Sequence, residues 1–380
     1  MKDTNRTPEY SMWRKTIMLK RVVSVVLMVS LLLTCVACQG QESSTKDSKS
    51  SSDVKVSAED AKNTEVVKIG DEKITLDYMY LYVIQFIYTY SATEDTISNN
   101  MDGYKSQILS QLRTDEIKYI YAKNNGIELT DDEKKEMDDV VDRYYKTFKE
   151  DFLKKYGISR DTVESLFYKQ RYISKLNDET QKKLEEQYQK EAEEELKDKT
   201  FFDLKYLLFP TVEYKDGSPV TDSNGKYTEL SADKKKEQKT LAEEAKKRLE
   251  AGEKFDDLAK EYKIEDCSEE LRSYYGAYTE DLNNLIKDLK AGDVSETYES
   301  DLGYMVVQML NTNDEDYKKY YIETAGGQKA SAQMTVEENK WLASVEVDEE
   351  KDMIGDVWAN LDISKIAAAM EKEGIAKSTN

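Results

Sequence analysis

The sequence contains no histidine. That absence removes the Ser-His-Asp and Cys-His nucleophile systems and every histidine-based zinc site. Glycine is sparse, and its one doublet, Gly326-Gly327, lacks the spacing of a phosphate-cradling loop; no G-x-G-x-x-G occurs either. Cysteine is limited to Cys35, Cys38 and Cys267. Basic charge is short as well: 56 Lys and Arg against 77 Asp and Glu leave a formal charge of -21, which repels phosphates and argues against nucleic acid as a partner. With so many acidic residues, pairs such as Asp131-Asp132 arise by chance, and none is read as a catalytic dyad. No cofactor and no metal is expected.

What is present begins with an address. Lys2, Arg6, Arg14, Lys15, Lys20 and Arg21 precede an apolar run from Val22 to Ala37, too short for a comfortable membrane span and typical of a secretory signal. It ends in Cys35-Val36-Ala37-Cys38, which resembles the lipobox of bacterial lipoproteins; Leu32-Leu33-Thr34-Cys35 matches less well. The resemblance implies cleavage before Cys38 and a diacylglyceryl group on it, anchoring the protein to the bacterial cell membrane outside the cytoplasm. Cys35, half of a C-x-x-C pair, would then be discarded, leaving Cys267 as the one mature thiol and no intrachain disulfide. The leader 1–37 holds six basic and two acidic residues, so its loss takes the charge from -21 to about -25. Residues 38–65, rich in Ser, Lys, Asp and Thr, read as a flexible linker.

Val66 to Thr75 then reads as a small hairpin, and from Leu76 to about Thr200 the pattern is helical. Met79, Leu81, Tyr82, Ile84, Phe86, Ile87 and Tyr90 make the first helix apolar nearly all round, which implies burial on several sides; the alternative is an aromatic surface for unfolded chains. Ile108 to Tyr121 marks a second helix, ended by Asn124-Asn125-Gly126. Thr130 and Glu133 form a capping-box pattern ahead of a helix expected to run to Tyr156, where Gly157 stops it, and Ser159 can cap the next. Asn177 to Lys199 is almost wholly charged or amide and reads as a solvated helix bridging two domains. The phrases VVKIGDEKITLDYMY, AKNNGIELTDDE and KKYGISRDTVESL resemble the PrsA and SurA class of secreted foldases. In that class a C-terminal helix completes the chaperone domain, which implies that 314–372 returns to 66–200, with a helix capped at Thr335, Trp341 as its packing anchor and a short strand at Val345 to Val347.

The stretch from Phe201 to Leu310 is the most telling. An apolar run, Leu204 to Phe209, closes at Pro210 as a short strand. After a polar hairpin-like insertion, Leu241, Ala242, Ala245 and Leu249 share one helical face, and Phe255, Leu258, Ala259 and Tyr262 share the next. A strand at Tyr274 to Tyr278, a helix through Leu282, Leu285, Ile286 and Leu289, and strands Val294 to Glu299 and Tyr304 to Leu310 follow, the last two joined by Ser300-Asp301-Leu302-Gly303. The order and the words AEEAKKRLEAGEKFDDLAKEY, LKAGDVSETYES and DLGYMVVQML resemble the parvulin (PpiC-type) family of peptidyl-prolyl isomerases.

The resemblance implies an α+β fold: a mainly helical SurA-like chaperone domain at 66–200, completed by 314–372, and a small parvulin-like domain at 201–311. The latter would be a four-stranded antiparallel sheet flanked by helices, and 373–380 a tail. It also implies where a site would lie. The family's two histidine positions hold Tyr206 and Met305, its Cys or Asp position falls among Glu265, Asp266 and Cys267, with Asp266 preferred, and Leu282 is the nearest counterpart of the prolyl-ring contacts. With both histidines replaced, weak or no isomerase activity is expected, because losing one positioned polar group commonly costs about a hundredfold in rate. The function this implies is a foldase whose partners are unfolded secreted proteins, using its 27 Tyr and 12 Met as adaptable apolar surface. An active isomerase with a rebuilt pocket is the alternative, a solute-binding lipoprotein a third reading, and a homodimer stays open.

Overall fold

The computed structural model describes residues 56–215, 218–264, 268–348 and 351–375. The expected leader, Cys38, most of the linker, the triplet Glu265, Asp266 and Cys267, and the end of the tail lie outside the described residues. The chain divides into two compact units, one reaching to Glu179 and resuming at Val336, the other Thr180–Thr335.

The first unit opens inside the stretch expected as linker: Ala58–Ala61 form a turn of helix, α1, capped by the Ser57 side chain. A hairpin follows, β1 (Glu65–Ile69) and β2 (Glu72–Thr75), and then α2 (Leu76–Tyr90), α3 (Glu94–Asn99) and α4 (Met101–Asn124). Helix α2 carries large apolar side chains on every face, and eleven of its fifteen residues are buried, so it is the central helix of this unit's core. Helix α5 (Asp131–Phe148) starts with the capping box read from sequence: the Thr130 amide donates to Glu133 (2.7 Å) and the Glu133 amide to the Thr130 hydroxyl (3.3 Å).

The single helix expected from Asp131 to Tyr156 is in fact two. Lys149, at φ 55°, breaks the hydrogen-bond ladder, and α6 (Glu150–Lys154) begins after it. Gly157, at φ 72°, closes this segment where a Cβ would stand 2.2 Å from the Ala58 carbonyl oxygen, so only glycine lets α1 lie so near. Helix α7 (Arg160–Leu196) then runs unbroken for 37 residues, its start stabilised by the Ser159 hydroxyl accepting from the Thr162 amide.

The second unit is built on a sheet of order β6-β3-β8-β7, antiparallel throughout, with β3 (Phe201–Pro210), β6 (Ser268–Tyr274), β7 (Tyr298–Glu299) and β8 (Gly303–Asn311). A small hairpin, β4 (Tyr214–Lys215) and β5 (Ser218–Pro219), fills the insertion after β3. Alternation along the central strands sorts the core onto two faces. Leu207, Phe209, Tyr304 and Val306 pack against α8 (Ala232–Glu250) and α9 (Phe255–Glu261), through Ala242, Ala245, Leu249 and Leu258. On the opposite face Phe202, Leu204, Val307 and Met309 meet Ile286 of α10 (Glu280–Ile286).

Two strand expectations need correction. The strand placed at Tyr274 to Tyr278 ends where that stretch begins, because Gly276 already turns at φ 95°. The strand placed at Val294 to Glu299 is reduced to Tyr298–Glu299 and a lone bridge at Val294, since the Ser295 hydroxyl accepts from the Val307 amide (3.0 Å) and replaces a ladder bond.

Helix α11 (Glu315–Leu342) is continuous, so Thr335 caps nothing. It passes the Gly326-Gly327 doublet without breaking, and a Cβ at Gly326 would stand 2.7 Å from the Gln189 side chain and 3.0 Å from its backbone nitrogen on α7, so close packing accounts for this glycine. Beyond Thr335 the chain is again part of the first unit. There Trp341 is 2 % exposed beside Tyr121, and Glu338 bonds Lys118 at 2.8 Å. No strand forms at Val345 to Val347; the added pairing to β1 comes later, with Lys68 donating to the Asp352 carbonyl (2.8 Å) and Ile354 to that of Val66 (3.0 Å). Helices α12 (Val357–Asn360) and α13 (Ser364–Lys372) complete the core through Trp358, Ile366 and Met370. Buried Lys105 donates to the Ala359 and Leu361 carbonyls, and burial lowers its pKa. Ile375, expected in the tail, is buried, and Glu373 bonds Lys155 at 2.7 Å.

Candidate functional site

The sheet brings the sequence-predicted residues together. Tyr206 of β3 is paired with Val307 of β8, and Met305, two residues before Val307, is paired with Leu208. Side chains alternate, so Tyr206 and Met305 are diagonal neighbours on one face of adjacent strands. Leu282, from α10, packs in the same apolar cluster, with Leu285, Leu289, Leu271 and Tyr275. Helix α10 reaches this face because the Thr279 hydroxyl caps its first turn and the Asn283 side chain ties it to the Gly276 amide (2.8 Å) and to the Tyr278 and Thr279 carbonyls. The result is a half-covered apolar surface with a phenol and a thioether at its rim. It can hold a flat apolar group and has no imidazole to exchange a proton with it.

The polar chemistry of this unit sits elsewhere, and sequence reading had not singled it out. Asp203 of β3 faces Arg272 of β6 (3.2 Å), and Arg272 also reaches Glu270 (2.9 Å) and Asp314 (3.9 Å). Burial raises the Asp203 pKa against the pull of Arg272. Beside them Phe201, Tyr274, Tyr317 and Tyr321 form an aromatic cluster, with the Arg272 guanidinium 5.9 Å from the Tyr317 ring.

A second unanticipated group lies in the helical unit. Glu116 of α4 is almost fully buried and bonds Lys169 at 2.6 Å, while Lys169 stands 5.0 Å from the Tyr78 ring and 5.1 Å from that of Tyr119. Its neighbour Asp115 accepts a hydrogen bond from the Tyr82 hydroxyl, and desolvation raises its pKa to about 6. A signal for Glu116 existed: it falls four residues after Leu112, itself four after Ile108, so an acidic residue occupies the core phase of the helix.

Residues 220–321 match the family described as the PPIC-type PPIASE domain. The chain carries a PPIC-type domain and resembles the PrsA foldases. The Foldase protein PrsA of Bacillus subtilis (strain 168) is 29% identical over 173 residues, covering 40% of this chain and 57% of that protein, so the match spans little more than half of the relative. Among solved structures, the PrsA foldase of Lactococcus lactis aligns over 76% of this chain and 96% of its own at 16% identity and a TM-score of 0.34. A SurA-like chaperone of Campylobacter jejuni aligns over 75% and 98% at 14% identity and a TM-score of 0.23. The family match begins at residue 220, after the central strand β3 that carries Tyr206.

Proposed function

We propose that this chain is an extracytoplasmic foldase, held to the membrane by lipid on Cys38, that shelters unfolded secreted proteins with weak or absent prolyl isomerase activity. The observation that carries this reading is that the unit containing the PPIC-type match presents an apolar face around Tyr206, Leu282 and Met305 in a chain without histidine. Rotation about a peptide bond faces a barrier of about 18–20 kcal/mol, and lowering it needs positioned polar groups at the twisted amide. A half-covered apolar face supports holding a polypeptide more than turning its proline bond. Among the described residues no helix is long and apolar enough to cross a membrane. The tether in this reading is the acyl chain.

The test is light scattering of a heat-denatured secreted enzyme in the presence of this protein. Aggregation falls by at least half at equimolar dose if the reading holds. Unchanged scattering at a fivefold excess overturns it.

A further inference from the structure

The main sheet ends on two edges of unequal length. Strand β7 is two residues long and offers little to pair with, whereas β6 runs for seven, Ser268–Tyr274. Among the described residues β6 is paired on one side only, to β3. Which of its backbone groups face outward follows from the antiparallel register. The Tyr275 amide donates to the Thr200 carbonyl (3.0 Å), so these two residues face each other, and alternation then turns Ser273 and Leu271 toward Phe202 and Leu204 of β3. The far side of β3 agrees, since the Phe201 carbonyl accepts from the Asp314 amide (2.9 Å) just past β8. The amides and carbonyls of Glu270 and Arg272 therefore point out of the sheet edge, where nothing among the described residues bonds them, and both residues are exposed.

An exposed edge is normally guarded against chance pairing by charged side chains. Here the guard carries both signs. Glu270 and Arg272 lie on one face of β6, and Leu271 between them lies on the other, where it joins the half-covered cluster of Tyr206, Leu282 and Met305. A second β6 laid antiparallel along this edge, with Leu271 opposite Leu271, sets Glu270 opposite Arg272 of the second copy and Arg272 opposite its Glu270. Both pairings join residues whose backbone groups face outward, so each exchanges two backbone hydrogen bonds and matches opposite charges directly across the strands. Sliding by two residues either way sets Glu270 against Glu270 or Arg272 against Arg272. The edge specifies its own register.

We propose that β6 is a self-association edge, where two copies of this chain join β6 to β6 about a twofold axis at Leu271. The joined sheet is continuous, and the two apolar clusters around Tyr206 and Met305 lie on the same side of it. Arg272 also stands against Asp203 (3.2 Å) and Glu270 (2.9 Å) of its own chain, so the contact is a network of alternating sign. The formal charge of -21 opposes self-association, but salt screens it beyond about 8 Å under physiological conditions, and the matched pairs at the contact decide.

The experiment is sedimentation equilibrium of the full chain in physiological salt, with residue-level hydrogen exchange at low and high protein concentration. Two short strands make a contact below standard interface size, so a dimer with a Kd of about 10–100 μM is expected. Glu270→Lys sets a lysine opposite Arg272 twice in the symmetric contact and weakens the dimer about tenfold or more, although it makes the chain less acidic. Glu237→Lys, the same change on the exposed surface of α8, does not weaken it. Glu270→Pro removes an N–H that faces outward, keeps the bonds to β3 and abolishes the dimer. As concentration rises, the Glu270 and Arg272 amides gain protection, while those of Leu271 and Ser273, already bonded to β3, do not change. Thermal melts establish that each variant is folded. A parent that stays monomeric at about tenfold above that range, a dimer that survives Glu270→Lys and Glu270→Pro, or protection confined to other amides overturns the proposal. So does protection of Glu270 and Arg272 by an unfolded client without any dimer, which would give the edge to clients. Suppression of aggregation is scored separately, so the foldase reading stands or falls independently of this edge.

Discussion

The two units handle polarity in opposite ways. In the sheet unit the faces of the central strands are apolar, and the charged residues Asp203, Glu270, Arg272 and Asp314 gather on a network away from the Tyr206–Met305 face. In the helical unit Glu116, Asp115 and Lys169 lie among tyrosine rings in the interior, where each ion must be matched or its pKa moves. The sheet unit, whose strands β6, β7 and β8 lie within the PPIC-type match, presents an apolar surface around Tyr206, Leu282 and Met305. The helices hold ionisable groups that a plain packing core would not need.

The comparison breaks first where packing is densest. Phe209→Ala, in the buried layer between β3 and α8, is expected to destabilise the sheet unit by about 3–5 kcal/mol, read as a lowered melting transition for that unit in calorimetry. Gly157→Ala drives a Cβ against the Ala58 carbonyl at a left-handed backbone position. It costs the helical unit about 2–4 kcal/mol, measured by urea unfolding followed at tryptophan.

Asp115→Asn sharpens the contrast through its sign. A carboxyl whose folded pKa is raised, here to about 6, contributes stability that is complete below its unfolded value and is lost as pH rises through 6. The ionised form is therefore the destabilising one. The asparagine variant, which can still accept from Tyr82, is expected to be more stable than the parent by about 1–2 kcal/mol at pH 8, after allowance for solvent at a half-buried site, and no more stable below pH 4. Paired urea titrations at the two pH values check it. The smallest effect is Thr130→Ala, which removes one half of the α5 capping box at a cost of about 1 kcal/mol in the same assay.

Much of the architecture was legible because it rests on local rules. The run Leu204 to Phe209 announced β3, and Ser300 with Gly303 announced the hairpin into β8, where the Ser300 amide donates to the Gly303 carbonyl at 2.8 Å. That Tyr206 and Met305 share one face was implied by the resemblance to the parvulin family, and the β3–β8 register sets them as diagonal neighbours. What stayed hidden depends on distant partners. Lysine carries no preference for positive φ, so the break at Lys149 is invisible in sequence; there its amino group donates to the Glu373 carbonyl from the far end of the chain. Strand β6 is an edge strand with Glu270 and Arg272 interrupting its apolar pattern, and Gly326 looks like a helix stop until Gln189 of α7 is seen against it. The Asp115 and Glu116 pair was masked by the abundance of acidic residues around it, although its helical phase pointed inward.

The central claim is that the protein holds chains without turning their proline bonds. The most direct test is the refolding of a proline-limited secreted enzyme with increasing amounts of the full chain, recording yield and rate constant together. The account predicts a rising yield at an unchanged rate constant; a rate constant that climbs in proportion to added protein, at unchanged yield, would contradict it.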